Sequence, residues 1–269
     1  MTGILLTNDD GIQSPGLALL RRVLDPLGEV VTYAPSDNQS AVARGMTIDR
    51  ALHARRTRFG GFDGYAVDGT PVDCVRLALL GLRAPMPDWV VAGVNLGGNM
   101  GVDVTYSGTV GAALEAALRG VPAMAVSVES ASPEHLEEAE GLLRRIVALA
   151  LKRGLPPRTA LNVNLPDRSP EAVRGVRLAR LGGASCHDRI FVADADGGRS
   201  EHHIACERPP GPPRSQTDFE VVAAGYVALT PLRTDLVDEA GLAAMSDWGL
   251  EELMAPPVAL EPAGRDEQA

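Results

Sequence analysis

Short apolar runs recur along this chain, each closing in a polar loop and each followed by residues with helical spacing, and no other feature restricts the fold as much. Residues 3–7, Glu29 to Ala34, Trp89 to Val94 and Ala123 to Ser127 have the length and composition of buried strands. Between them, Leu17 to Leu27 reads as a helix with Pro15 near its start, and Gly69-Thr70-Pro71 opens another to about Leu82. Thr109 to Arg119 and the long amphipathic stretch 134–153 complete the helical set. Strands alternating with helices call for an α/β fold with a mostly parallel sheet and helices on both faces. Residues 46–68 read as strands with turns at Gly60-Gly61 and Asp63-Gly64. After Asn162 to Pro166 the alternation stops. Short strand candidates and a Pro-rich stretch at 209–213 read as a β-rich extension from about residue 167. One domain over 1–235 is expected, then a C-terminal segment, 236–269, whose tail from Glu261 to Ala269 is expected to be disordered.

In an open α/β sheet, ligands bind beyond the carboxyl ends of the strands. Asp9 and Asp10 stand at one such end, Ser40 follows the second strand, and Asn95 follows Val90 to Val94. Three loops should therefore bring hard oxygen donors to one rim. Two carboxylates, a hydroxyl and an amide carbonyl suit Mg²⁺ or Mn²⁺ better than Zn²⁺. A cation would also relieve the repulsion between the neighbouring carboxylates. Taken alone, Asn8-Asp9-Asp10-Gly11 is more simply a turn that caps the next helix; the other two loops reverse that preference. Downstream, Tyr106-Ser107-Gly108-Thr109 opens the helix that runs through Leu118. A helix N-terminus with free N–H groups and hydroxyls can take a phosphate, and capping by Ser107 or Thr109 is compatible with it.

Other readings of these stretches fail on particular residues. An EF-hand loop with its glycine at Gly11 needs acidic residues where Leu6 and Leu17 stand. A dehalogenase-type phosphatase needs D-x-D, but Asn8 occupies the nucleophile position. The run from Gly93 to Gly101 lacks the G-x-G-x-x-G spacing of a dinucleotide site. Cys186-His187 and His202-His203 with Cys206 match no standard zinc spacing. Arg55, Arg56 and Arg58 read as a solvated strand or turn, Cys74 as a buried thiol, Trp89 as the start of a buried strand and Trp248 as packing for a terminal segment. A net charge of −10 argues against a standing groove for a nucleic-acid polymer. Three cysteines give no disulfide framework. Residues 1–20 lack the signature of a signal peptide and no run is long enough for a membrane span, so a cytoplasmic setting is expected.

The segments LLTNDDG, APSDNQSA, GTPVDCV, AGVNLGGNMG, YSGTVGAALEA, LNVNLP and GYVALTPL, in that order from residue 4 to about residue 235, resemble the SurE-type stationary-phase survival proteins. The resemblance implies metal-dependent nucleotidases acting on nucleoside 5′- and 3′-monophosphates, with short polyphosphate as a side activity in some members. It implies a Rossmann-like core and a β-rich extension exchanged between subunits, giving a homodimer or homotetramer. The family's divalent-metal site falls on Asp9, Asp10, Ser40 and Asn95, one Mg²⁺ or Mn²⁺ per subunit. Its phosphate neighbourhood falls on Asn99 and Ser107-Gly108-Thr109, with Asn38 close by. Two departures, Ser200 to Ile204 after Gly197-Gly198 and Ala228 where a serine is usual, bear on base preference and subunit contacts. The expected chemistry is attack on phosphorus by water that Asp9 orients, or direct attack by Asp9 itself. A metal–nucleotide sensor without turnover would use the same loops.

Overall fold

The structure, a computed structural model, describes residues 1–81, 86–183, 187–195, 199–207, 216–250 and 253. The strands in chain order are β1 (Gly3–Thr7), β2 (Glu29–Pro35), β3 (Ala54–Phe59), β4 (Phe62–Val67), β5 (Trp89–Leu96), β6 (Ala123–Val128), β7 (Thr159–Leu165), β8 (Val176–Leu178), β9 (His187–Ala195), β10 (Arg199–Glu207) and β11 (Val227–Arg233). The helices are α1 (Pro15–Leu24), α2 (Pro71–Leu80), α3 (Gly108–Leu118), α4 (Glu140–Arg153), α5 (Asp218–Ala223) and α6 (Glu239–Met245). The chain divides into two units, Met1–Thr234 and Asp235–Ala269. The second contains α6, with Trp248 64% exposed, so the expected packing role of that ring is not met.

The first unit is built on a nine-stranded sheet in the order β3-β4-β2-β1-β5-β6-β7-β11-β8. Strands β4 through β7 in that row are all parallel. Their order is that of the doubly wound fold, and it reverses between β1 and β5. β3 is antiparallel to β4, β11 is antiparallel to β7, and β8 runs parallel to β11 at the edge.

Side-chain alternation distributes the core between two faces. Ile4, Leu6, Val91, Met124 and Val163 point to one side, where Leu17, Leu20 and Leu24 of α1 and Leu143 and Val147 of α4 cover them. Leu5, Val90, Ala92 and Ala125 point to the other, against Val75 and Leu79 of α2 and the alanines of α3. The small residues of α3 let it lie close to the sheet, which later brings its N-terminus onto the site.

Several sequence expectations shift here. Asp63 and Gly64 lie within β4, paired with Arg58 and Thr57; the hairpin turn is made by Gly60 and Gly61, both at positive φ. Residues 46–53 form no strand, because side chains hold this loop: Asp73 accepts from the Thr47 N–H and hydroxyl, and Thr70 donates to the Gly45 carbonyl. Residues 134–136 are not helical. Their start is tied to Asp167, and a 3₁₀ turn, Glu137–Ala139, precedes α4. Within the extension, β11 and β8 complete the main sheet, while β9 and β10 pair only with each other among the described residues. Residues 209–213, Cys186, Gly197-Gly198 and Glu261 to Ala269 lie outside the described residues. Cys74 is fully buried, and burial pushes its thiol well up.

Candidate metal and phosphate site

Asp9 follows β1 at the point where the strand order reverses, and it is 3% exposed. A buried carboxylate needs donors. Thr109 supplies two: its N–H to Oδ2 at 2.9 Å and its hydroxyl to Oδ1. Gly108 makes the approach possible, since a Cβ there would lie 2.9 Å from the Asp9 Cβ. The α3 N-terminus is thus aimed at Asp9, where its partial positive charge favours an anion. Burial pushes the Asp9 carboxyl upward, and the Thr109 bonds offset part of that shift. Burial and the neighbouring Asp9 charge push Asp10 up to about 6.

The other two loops are laced to these aspartates through main-chain N–H groups. Gln39 donates to the Asp9 carbonyl at 2.7 Å, which sets Ser40 beside it. Leu96 donates to Asp10 Oδ2 at 3.2 Å, which sets Asn95 beside Asp10. A register shift between β5 and β6, from Ala92 to Asn95, falls at this end of the strand; such bulges re-aim side chains next to sites. Asn38 Oδ1 accepts from both the N–H and the hydroxyl of Ser40, closing a local turn. Asn95 Nδ2 donates to the Gly97 carbonyl, leaving its Oδ1 as an acceptor. Asp9, Asp10, Ser40 and Asn95 are therefore gathered at one rim.

Neither aspartate has an ion-pair partner among the described residues, and no three His, Cys, Asp or Glu side chains converge there as a metal cluster. What remains is two raised, adjacent carboxylates with a hydroxyl and an amide oxygen. That donor set fits a hard divalent cation, which would remove the charge penalty both aspartates carry.

The residues expected around phosphate divide by what they touch. Ser107 caps α3 by accepting from the Val110 N–H at 3.1 Å, and its own hydroxyl proton remains to donate. Thr109 is committed to Asp9. Asn99 is buried, and its Nδ2 donates to the Ser127 hydroxyl at 2.8 Å. Its main chain is gripped as well: Asn162 and Asn164 both donate to its carbonyl, and its N–H donates to Asn164 Oδ1. Asn99 thus anchors the glycine-rich loop, while Asn38 is exposed.

Sequence reasoning missed the residues that hold these loops. Glu115 of α3, 5% exposed, receives Arg119 at 2.7 Å, Arg44 at 3.3 Å and Arg76 at 3.4 Å. Arg44 belongs to the Ser40 loop, so this buried carboxylate clamps that loop to α2 and α3. Asp218, wholly buried, accepts from the N–H groups of Gly101 and Gly182. The capping-box pattern Thr217 to Glu220 was a signal for the start of α5, and hence for Asp218 as its first residue. No sequence signal marks Glu115.

The chain matches the model of the family described as Survival protein SurE over residues 4–188. A protein of Rubrobacter xylanophilus named 5′-nucleotidase SurE is 41% identical, over 93% of this chain and 98% of its own length. One of the same name from Chloroflexus aggregans is 42% identical, over 92% of this chain and 99% of its own. The crystal structure of SurE protein from Aquifex aeolicus superposes with a TM-score of 0.80 at 37% identity, covering 90% of this chain and 97% of that one.

Proposed function

The chain belongs to the SurE family, and from that premise we propose that it hydrolyses nucleoside 5′-monophosphates to nucleoside and phosphate with the help of one Mg²⁺ or Mn²⁺ per subunit. Hydrolysis of 3′-monophosphates and of short polyphosphate belongs to the same reading. The observation that carries it is the gathering of Asp9, Asp10, Ser40 and Asn95 at the strand-order reversal, with the α3 N-terminus against Asp9. The names of the relatives and the chemistry of that rim agree.

The cation would rest on the two carboxylates, the Ser40 hydroxyl oxygen and Asn95 Oδ1. When bound, it polarises a phosphate oxygen and lowers the pKa of water beside it. Thr109 holds both oxygens of Asp9, which fixes that carboxylate as an acceptor able to orient a water. The Ser107 hydroxyl and the Asn38 amide donate to phosphate oxygens, and Asn99 keeps the glycine-rich loop in place for them. We take the water route, with Asp9 held by Thr109 as the acceptor that orients the water. With a phosphoryl group made chiral by oxygen isotopes, a single displacement by water should invert the configuration at phosphorus; retention would reverse that choice.

The substrate is a small molecule rather than a nucleic-acid polymer, in keeping with the net charge of −10. A homodimer or homotetramer is part of the proposal. An isolated two-stranded sheet such as β9–β10 is marginal alone, and it exposes Ile190 and Phe191. No helix among the described residues is long and apolar enough to cross a membrane. Chromatography of AMP incubated with the protein and Mn²⁺ tests the central point. Adenosine accumulating over many turnovers is expected. AMP that is bound but recovered intact would instead make the protein a nucleotide sensor.

A further inference from the structure

Aromatic rings in the first unit are mostly committed to neighbours. Tyr33 and Tyr65 stack with centroids 4.6 Å apart, Tyr226 lies beneath the guanidinium groups of Arg174 and Arg177, and Trp89 is buried. Tyr106 differs. It is 63% exposed, and it stands two residues before Gly108, the residue pressed against Asp9.

Its main chain is held from both sides. The Tyr106 N–H closes the 3₁₀ turn Gly101–Thr105 by donating to the Asp103 carbonyl at 3.0 Å. Its carbonyl accepts from Ala43 at 2.9 Å, in the loop that carries Ser40. The start of the turn is equally fixed. Gly101 has φ +55°, a Cβ there would lie 2.4 Å from the Gly183 carbonyl oxygen, and its N–H is taken by Asp218. A rigid frame thus presents an exposed ring at the seam between the Ser40 loop and the phosphate-facing turn.

A nucleoside monophosphate is a phosphate separated by one ribose from a flat aromatic ring. With the phosphate at Ser107 and the cation, its base needs a flat partner a short distance from that turn. We infer that Tyr106 is the stacking platform for the nucleobase and the residue by which the site prefers nucleotides to plain sugar phosphates. This rests on the nucleotidase reading and specifies its substrate. Stacking on an aromatic face accepts any base and strengthens with ring area, so purine monophosphates should be favoured over pyrimidine ones.

The test is the ratio of kcat/KM for AMP to that for ribose 5-phosphate, which has the phosphate and sugar without the base. In Tyr106→Ala the ratio should fall about tenfold, carried mainly by the KM for AMP, and in Tyr106→Phe it should stay at the wild-type value. The same ratio in all three proteins would overturn the inference, including the case where Tyr106→Ala weakens both substrates equally, as a ring needed only for the loop or for subunit contact would. A wild-type protein that releases phosphate from neither compound would remove the nucleotidase reading, and the inference with it.

Discussion

Asp9 and Asp10 carry opposing demands. As the proposed metal ligands they must be charged, yet burial raises both carboxyls, and burial with the Asp9 charge pushes Asp10 to about 6. The unfolded chain holds Asp10 at the ordinary carboxylate value of about 3.9. Between those two values the native protein binds a proton that the unfolded chain does not, so stability falls as pH rises through this window. Metal-free protein should therefore melt at a lower temperature at about pH 7 than at about pH 5. Asp10→Asn should flatten that decline and raise the melting temperature near neutrality while weakening Mn²⁺ binding; calorimetry with and without Mn²⁺ measures both. A melting temperature that climbs toward neutrality in the metal-free protein would show that the pair is already compensated. Thr109→Val keeps the shape and removes the hydroxyl bond to Asp9. Hydrogen bonds to charged groups are worth about 1.5–3 kcal/mol, so Mn²⁺ affinity should fall roughly tenfold or more. Ser107→Ala should act more mildly, costing about 1 kcal/mol of helix cap and raising KM with kcat less affected.

At the level of elements, the site depends on how α3 meets two loops. Its N-terminus holds Asp9, and Glu115 one side along holds Arg44 of the Ser40 loop as well as Arg76 of α2. Removing one partner from a buried charge cluster costs about 3–5 kcal/mol; the partial exposure of the three arginines places Glu115→Ala at the lower end. Urea unfolding should show that loss, with Glu115→Gln milder. Little of this was legible. Thr109 is a hundred residues from Asp9 in sequence, and a helix N-terminus reads the same whether it faces a phosphate or a carboxylate. The Thr109 hydroxyl, placed beside phosphate in the sequence, holds Asp9 instead. Asp63-Gly64 misled for a related reason: the dipeptide is a turn signal, but Gly60-Gly61 fixed the hairpin and left Asp63 inside the strand.

For the whole molecule, the mostly parallel sheet and its strand ends were readable because both follow from alternation; the strand order, which puts Asp9 at its reversal, was not. The rule that ligands bind beyond strand ends singled out Asp9, Asp10, Ser40 and Asn95 in the sequence; their role as metal ligands belongs to the proposal. The partition of the extension was not readable either, because β8 has only three residues and joins through β11, and β11 enters the sheet by long-range pairing with β7. On the proposed reading, the oxygens of Asp9, Asp10, Ser40 and Asn95 hold a cation that makes phosphate ester hydrolysis possible. The measurement that tests it most directly is phosphate release from AMP by metal-stripped protein, before and after addition of Mg²⁺ or Mn²⁺, beside Asp9→Asn. Release that appears only with metal and vanishes in a folded Asp9→Asn is the predicted result. Equal release without metal, or undiminished release by Asp9→Asn, would contradict it.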